Sequence, residues 1–266
     1  MLDYDEKPRF KTHNIRLLDG SVTIPTHEVT LEQTGWFKQI VRLLQQAFHR
    51  PPGEIRVVDL GCCEGGLSIE LARIGYAVVG IDVRKRNIDL AETLKEATGS
   101  KNVSFIQADV SKFIEYGKFD VVLCWGLLYH LDNPEGLLDK IGEKCGRLLI
   151  LSTHYAPGDD QPLRAKQYGL SDLTYMGSLR GRWYKEFDPD APKSLREAAI
   201  WSSFKNDKSF WIQKEHLIQK LRRVGFDEVA ELFGGISDPV AEDMLSGVYY
   251  SNCRGVFAGI KDNEKC

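Results

Sequence analysis

Basic charge is not in surplus in this chain. Its 35 lysines and arginines face 38 aspartates and glutamates, for a formal net charge of -3. Proteins that grip a nucleic-acid backbone neutralise phosphates with a basic excess. Nonspecific nucleic-acid binding is therefore excluded as a main role, and nucleic acid is not an expected partner. Paired cysteines are missing too. The six cysteines (Cys62, Cys63, Cys124, Cys145, Cys253 and Cys266) form no C-x-x-C pair and have the spacing of neither a zinc site nor a disulfide framework. Several lie in apolar runs, where a free thiol acts as a small hydrophobe. Reduced thiols, no metal and a cytoplasmic setting are expected. Long apolar stretches are also lacking. The longest, VVLCWGLLYHL, is too short to span a bilayer and contains a histidine. The first residues, MLDYDEKPRF, have no apolar signal core. No repeat or low-complexity tract occurs. What remains is an ordinary globular composition, 42% hydrophobic and 27% charged, over 266 residues. That length buries a substantial core without staples.

The chain then sorts into four parts. Residues 1–53 hold an Asp19-Gly20 hairpin signal and a helical pattern in TGWFKQIVRLLQQAFHR, with Thr34 as N-cap and Pro51-Pro52-Gly53 as the stop. Residues 54–155 alternate. EIRVVDL, YAVVGID, NVSFIQAD, KFDVVLCWG and GRLLILSTHY read as strands, with helices between them. Strands apolar on both faces that alternate with helices predict a doubly wound α/β fold with a mostly parallel sheet. Residues 156–210 lose that alternation and are rich in aromatics and in both charge signs, the signature of an inserted substrate lid. Residues 211–266 return to the core with the helix QKEHLIQKLRRVGF, the strand DEVAELF and a final strand in VYYSNCRGVFAGIK.

The chemistry concentrates in DLGCCEGG, between the first strand and its helix. The first turn at the carboxyl edge of a parallel sheet is the expected ligand position. About twenty residues on, strand two ends in Asp82, placed to accept hydrogen bonds from ribose hydroxyls. A dinucleotide fingerprint requires G-x-G-x-x-G. Here the three positions are Gly61, Cys63 and Gly66. The middle glycine, which lets a pyrophosphate approach, is missing, and this disfavours NAD and FAD.

DLGCCEGG resembles motif I of the class I S-adenosylmethionine-dependent methyltransferases, D/E-x-G-x-G-x-G, with Cys63 in place of one glycine. The resemblance covers residues 54–155 and the final helix and strands. It implies a seven-stranded sheet with an antiparallel last strand, and S-adenosylmethionine as cofactor. It assigns Asp59, Gly61, Cys62, Cys63 and Gly65 to the methionine side. Asp82 with Val83 falls at the ribose, Asp109 with Val110 at the adenine, and Trp125 with Gly126 beside the reactive methyl. GLLYHLDNPEGLL and SFWIQKEHLIQKLRRVGF also resemble, locally, the bacterial enzymes that carboxymethylate wobble uridine in tRNA.

An alcohol or phenol acceptor benefits from a general base of near-neutral pKa, most often histidine. His130 follows strand four and His154 follows strand five, so both lie at the functional edge. In the lid, RGRWYKE offers Arg180 and Arg182 for an anionic group and Trp183 and Tyr184 for stacking, with Tyr129 nearby. The resulting expectation is an O-methyltransferase acting on a small polar metabolite or sugar. N-methylation and tRNA-uridine modification are the alternatives, and both monomer and homodimer stay open.

Overall fold

The computed structural model describes residues 10–233 and 253–262. Seven strands form one sheet. They are β1 (Arg56–Leu60), β2 (Ala77–Asp82), β3 (Val103–Gln107), β4 (Phe119–Trp125), β5 (Cys145–His154), β9 (Glu228–Leu232) and β10 (Arg254–Ile260). Their order is β3-β2-β1-β4-β5-β10-β9. β10 runs antiparallel to both of its neighbours, and the other described pairs are parallel. The expected class I architecture is present. The chain divides into two compact units, Met1–Val110 and Ser111–Cys266.

In the first unit, β1 reads RVVDL because it is covered on both faces. Val57, Val58 and Leu60 are each fully buried, and each such burial contributes about 1.5–3 kcal/mol. β1 pairs with β2, and β2 with β3, in unbroken parallel register. Helix α1 (Gly35–Ala47) starts where the Thr34 hydroxyl accepts the Phe37 amide, and it buries Phe37, Ile40 and Leu44. Helix α2 (Gly66–Ile74) follows β1 and is buried along most of its length. Helix α3 (Lys85–Thr98) follows β2 and ends at left-handed Gly99. The Asp19-Gly20 turn forms, with Gly20 at φ 84° and Asp19 accepting from the Ser21 amide. Its flanking runs make one bridge, Arg16 to Val22.

The second unit carries helix α4 (Pro134–Lys144), capped by the Asn133 side chain on the Gly136 amide, and helix α7 (Lys214–Arg223). It also carries two short helices, α5 (Pro162–Gln167) and α6 (Lys193–Ala198), and a second sheet. That sheet is antiparallel, in the order β6 (Thr174–Met176), β7 (Leu179–Lys185) and β8 (Lys208–Ile212). The region without β-α alternation thus contains regular strands. Strand alternation puts Arg180, Arg182 and Tyr184 on one face of β7 and Gly181 and Trp183 on the other. Register aligns Arg182 with Trp211 and Trp183 with Phe210. The Phe210 amide donates to the Leu131 carbonyl, and the Ala156 amide to the Ile212 carbonyl. The small sheet is therefore fastened to the segments that leave β4 and β5.

Among the described residues no helix is long and apolar enough to cross a membrane, and the five described cysteines are free thiols. Residues 248–252 of the expected final strand and Cys266 lie outside the described residues.

Candidate active site

Unit one supplies a turn held by two buried carboxylates. The Gly61 and Cys62 amides both donate to the Ile81 carbonyl, so the turn after β1 is pinned to the end of β2. Gly61 and Gly65 have φ of 73° and 79°, and Cys63 is also left-handed at 50°. For a residue with a Cβ that conformation costs energy. Cys63 therefore keeps the backbone shape of the glycine it replaces. Gly65 is needed for packing as well, because a Cβ there would come within 2.7 Å of Phe105 and 2.8 Å of Ala91.

Asp82, 5% exposed, accepts from the Cys63 amide at 3.1 Å, the Arg84 amide at 2.8 Å and the Asn87 side chain at 3.2 Å. Burial pushes its carboxyl above the ordinary range, against the pull of those hydrogen bonds and of Arg84. Asp59, 2% exposed, accepts the Ser68 hydroxyl at 2.7 Å. Burial raises it to about 6, with the Asp82 charge adding to the rise and the Ser68 bond opposing it. The adjoining Glu64 accepts the Lys11 and Thr12 amides and the Thr12 hydroxyl, which fastens the preceding segment onto the turn. Among the described residues, the carboxylates of Asp59, Glu64 and Asp82 outnumber the Arg84 guanidinium, and such a cradle repels a pyrophosphate and suits a cation with hydroxyl groups. That donor set fits a sulfonium nucleoside. Val83 and Asp109 are half-buried beyond the ends of β2 and β3, and Val110 is buried.

Unit two gathers Tyr129, His154 and Tyr184 around Trp211, with His130 beside Tyr129. His154 stacks on Trp211, with centroids 4.7 Å apart and planes at 15°, and Tyr184 stacks on it at 5.4 Å and 25°. Tyr129 meets His154 edge-on at 4.7 Å and lies 4.1 Å from the His130 ring. Tyr168 completes the cluster, 6.0 Å from His154 and 5.4 Å from Trp211. Trp125 is half-buried at the end of β4.

The two histidines are held differently. His154 Nδ1 lies 3.2 Å from the Cys253 carbonyl, which can only accept. Nδ1 therefore carries the proton, and Nε2 is the basic nitrogen. His130 Nδ1 lies 2.8 Å from Glu186 Oε1. The Glu186 side chain is 1% exposed and also accepts from the Ser209 hydroxyl and the Ser203 amide.

The lid arginines are committed elsewhere. Arg182 donates to the carbonyls of Pro157, Ser171 and Gly158, and Arg180 pairs with Asp159 at 2.8 Å. Trp183 sits on the opposite face of β7, against Phe210 at 5.1 Å and under Lys208. It lines an open cavity of about 780 Å³ together with Tyr184, Phe187 and Lys205.

A family of methyltransferase domains matches residues 33–231, most of the chain. The chain belongs to the class I S-adenosylmethionine-dependent methyltransferases. The methyltransferase is 29% identical over 134 residues to the ubiquinone biosynthesis O-methyltransferase of Colwellia psychrerythraea, covering 48% of this chain and 54% of that protein. It is 37% identical over 107 residues to the enzyme of that name from Rhizobium rhizogenes, covering 39% and 43%. It thus spans about half the length of the curated relatives it matches. The N-terminal domain of EvdMO1, solved in the presence of S-adenosylhomocysteine and D-fucose, is 25% identical with a TM-score of 0.64, covering 92% of this chain and 88% of that one.

Sequence reasoning missed four residues of this methyltransferase's aromatic cluster and its surroundings. Glu186 closes RGRWYKE, but that segment was read for its arginines and aromatics, and nothing local marks the carboxylate. Tyr168 and Trp211 lack a motif, though aromatic enrichment of the lid was a signal. Arg254 reaches this region only through the register of β10 on β5.

Proposed function

We propose that this methyltransferase methylates an oxygen atom of a small polar acceptor, with His130 as general base and Glu186 orienting it. The observation that carries the reading is the short bond between His130 Nδ1 and the buried Glu186 carboxylate. The carboxylate fixes the proton on Nδ1 and leaves Nε2 to take a proton from an acceptor hydroxyl. It also stabilises the imidazolium that results. This is the division of labour of a carboxylate-histidine pair in nucleophile activation. His154 is the second base candidate, because the Cys253 carbonyl fixes the same tautomer. Tyr129, Tyr168, Tyr184 and Trp211 supply flat apolar walls with hydroxyl edges, suited to an aromatic or sugar ring.

When bound, S-adenosylmethionine supplies an electrophilic methyl group on a sulfonium. Asp82 and Val83 would hold its ribose, and Asp109 and Val110 its adenine. Asp59 and the turn from Gly61 to Gly65 would hold its methionine end, and Trp125 would border the methyl. The likeness to ubiquinone biosynthesis O-methyltransferases supports transfer to oxygen, and the D-fucose present with EvdMO1 supports a sugar-sized acceptor.

The test combines calorimetry with turnover. S-adenosylhomocysteine should bind at micromolar strength or better, and tight NAD binding instead would sink the reading. His130→Ala should lower methyl transfer to phenol or sugar acceptors by about 10²- to 10⁴-fold. Full turnover in both His130→Ala and His154→Ala would move the reading to an amine acceptor.

A further inference from the structure

Building on that reading, we infer that the acceptor carries an anionic oxygen group, a carboxylate or a phosphate, and that Arg254 recognises it. Arg254 opens β10 directly across from His154. Its Nε and Nη2 lie 3.4 and 3.3 Å from the Ser152 hydroxyl, and its guanidinium carbon lies 5.9 Å from the Tyr129 ring. A Cβ on Gly126 would stand 3.7 Å from Nη2 and 3.8 Å from the Tyr129 hydroxyl. The left-handed Gly126 therefore leaves open the space in front of the guanidinium. The cation thus sits beside Tyr129 and His154, two residues proposed to face the acceptor, and beside Gly126, which the resemblance puts next to the reactive methyl.

What sets Arg254 apart is what it lacks. It is half-buried, and among the described residues no carboxylate or carbonyl binds it. Other arginines of this unit have such partners. Arg182 has three carbonyls, Arg180 has Asp159, and Arg196 has Asp207. Glu231, on the strand beside β10, is taken by Lys214 through both oxygens. A neutral hydroxyl does not balance a partly desolvated guanidinium, so among the described residues no group offsets the charge. A planar fork whose donors meet no described carboxylate or carbonyl matches a carboxylate or phosphate edge in two-point contact. The acceptor thus enters with its anionic group on Arg254 and its ring against the tyrosines.

The test uses matched pairs on one scaffold. These are 3,4-dihydroxybenzoate against its methyl ester, glucuronate against its methyl ester, and a sugar phosphate against the free sugar. Binding to the protein loaded with S-adenosylhomocysteine is measured by calorimetry. At least one charged member should bind ten-fold or more tightly than its neutral partner. Arg254→Gln should erase that preference, a loss of roughly 10- to 100-fold for a charged hydrogen bond, and Arg254→Lys should keep part of it. The acid or phosphate pair that responds identifies the source of the charge. Failure of the wild type to favour any charged member, or a preference that survives in Arg254→Gln, overturns the inference. Affinity for S-adenosylhomocysteine, read on the same samples, checks the methyltransfer reading independently and also reports whether the variants fold.

Discussion

Replacing Asp59 with asparagine should make the protein more stable at neutral pH and a poorer binder of its methyl donor. Asp59 is 2% exposed and keeps one side-chain partner, the Ser68 hydroxyl at 2.7 Å. Its carboxyl titrates at about 6 in the fold against 3.8 unfolded, because burial penalises the charged form. The gap corresponds to about 3 kcal/mol. The folded pKa is the higher one, so the folded state holds the proton more tightly. The penalty is therefore in full force above pH 6, shrinks as the pH falls from 6 towards 3.8, and is absent below. Asparagine has nearly the same shape and still accepts from Ser68, but it carries no charge. Urea unfolding of Asp59→Asn and wild type, followed by tryptophan fluorescence from pH 4 to 8, should show a gain of up to about 3 kcal/mol at pH 7.5 that closes towards pH 4. A variant less stable at pH 7.5, or a gain independent of pH, would refute the reasoning. Weaker binding of S-adenosylhomocysteine in the same variant would identify the ionised carboxylate as a stability cost retained for ligand recognition.

Other substitutions probe the remaining parts of the site. Asp82→Ala removes an acceptor shared by three donors and should weaken S-adenosylhomocysteine by about 1.5–3 kcal/mol; unchanged affinity in calorimetry would remove Asp82 from the site. Glu186→Gln keeps one oxygen where three donors converge, so turnover should fall at least about ten-fold at unaltered donor affinity, and full turnover would separate Glu186 from His130. His13 lies against Gly66, its Nδ1 is buried without a hydrogen bond, and burial lowers its pKa from 6.5 to about 4. The neutral form is the folded one, so this stabilisation is complete above pH 6.5 and is lost as pH falls to 4. His13→Phe should flatten that part of the pH-stability curve, and an unchanged curve would show that the loss arises elsewhere.

The α/β core was legible because its signals are local. Val57, Val58 and Leu60 form a run that only a strand covered on both faces explains, and glycines and prolines punctuate the helices around it. Asp82 was legible because a fixed spacing separates it from the turn. The small sheet was hidden because LRGRWYK mixes charge and aromatics. Its alternation makes sense only once Trp183 is set against Phe210 and Tyr184 against Trp211. Arg182 had the composition of a ligand-binding residue, but its use on three carbonyls depends on where the chain passes after β5. Glu186 and Arg254 were invisible for the same reason. Each acquires its meaning from a partner 56 and 102 positions away in sequence, His130 and Ser152.

The buried thiol of Cys62 gives the donor turn a clock. It is 3% exposed, and burial, with the Asp59 and Asp82 charges adding to it, raises its pKa well above the ordinary value. An alkylating reagent needs the thiolate and room to approach, so modification waits for the turn to open. When reclosing outpaces the reagent, the rate measures the population of the open form. A ligand that binds only the closed turn slows labelling by the factor one plus its concentration over its dissociation constant. Mass-resolved labelling of the peptide that contains Cys62 therefore converts donor affinity into a protection ratio, with no acceptor and no turnover required.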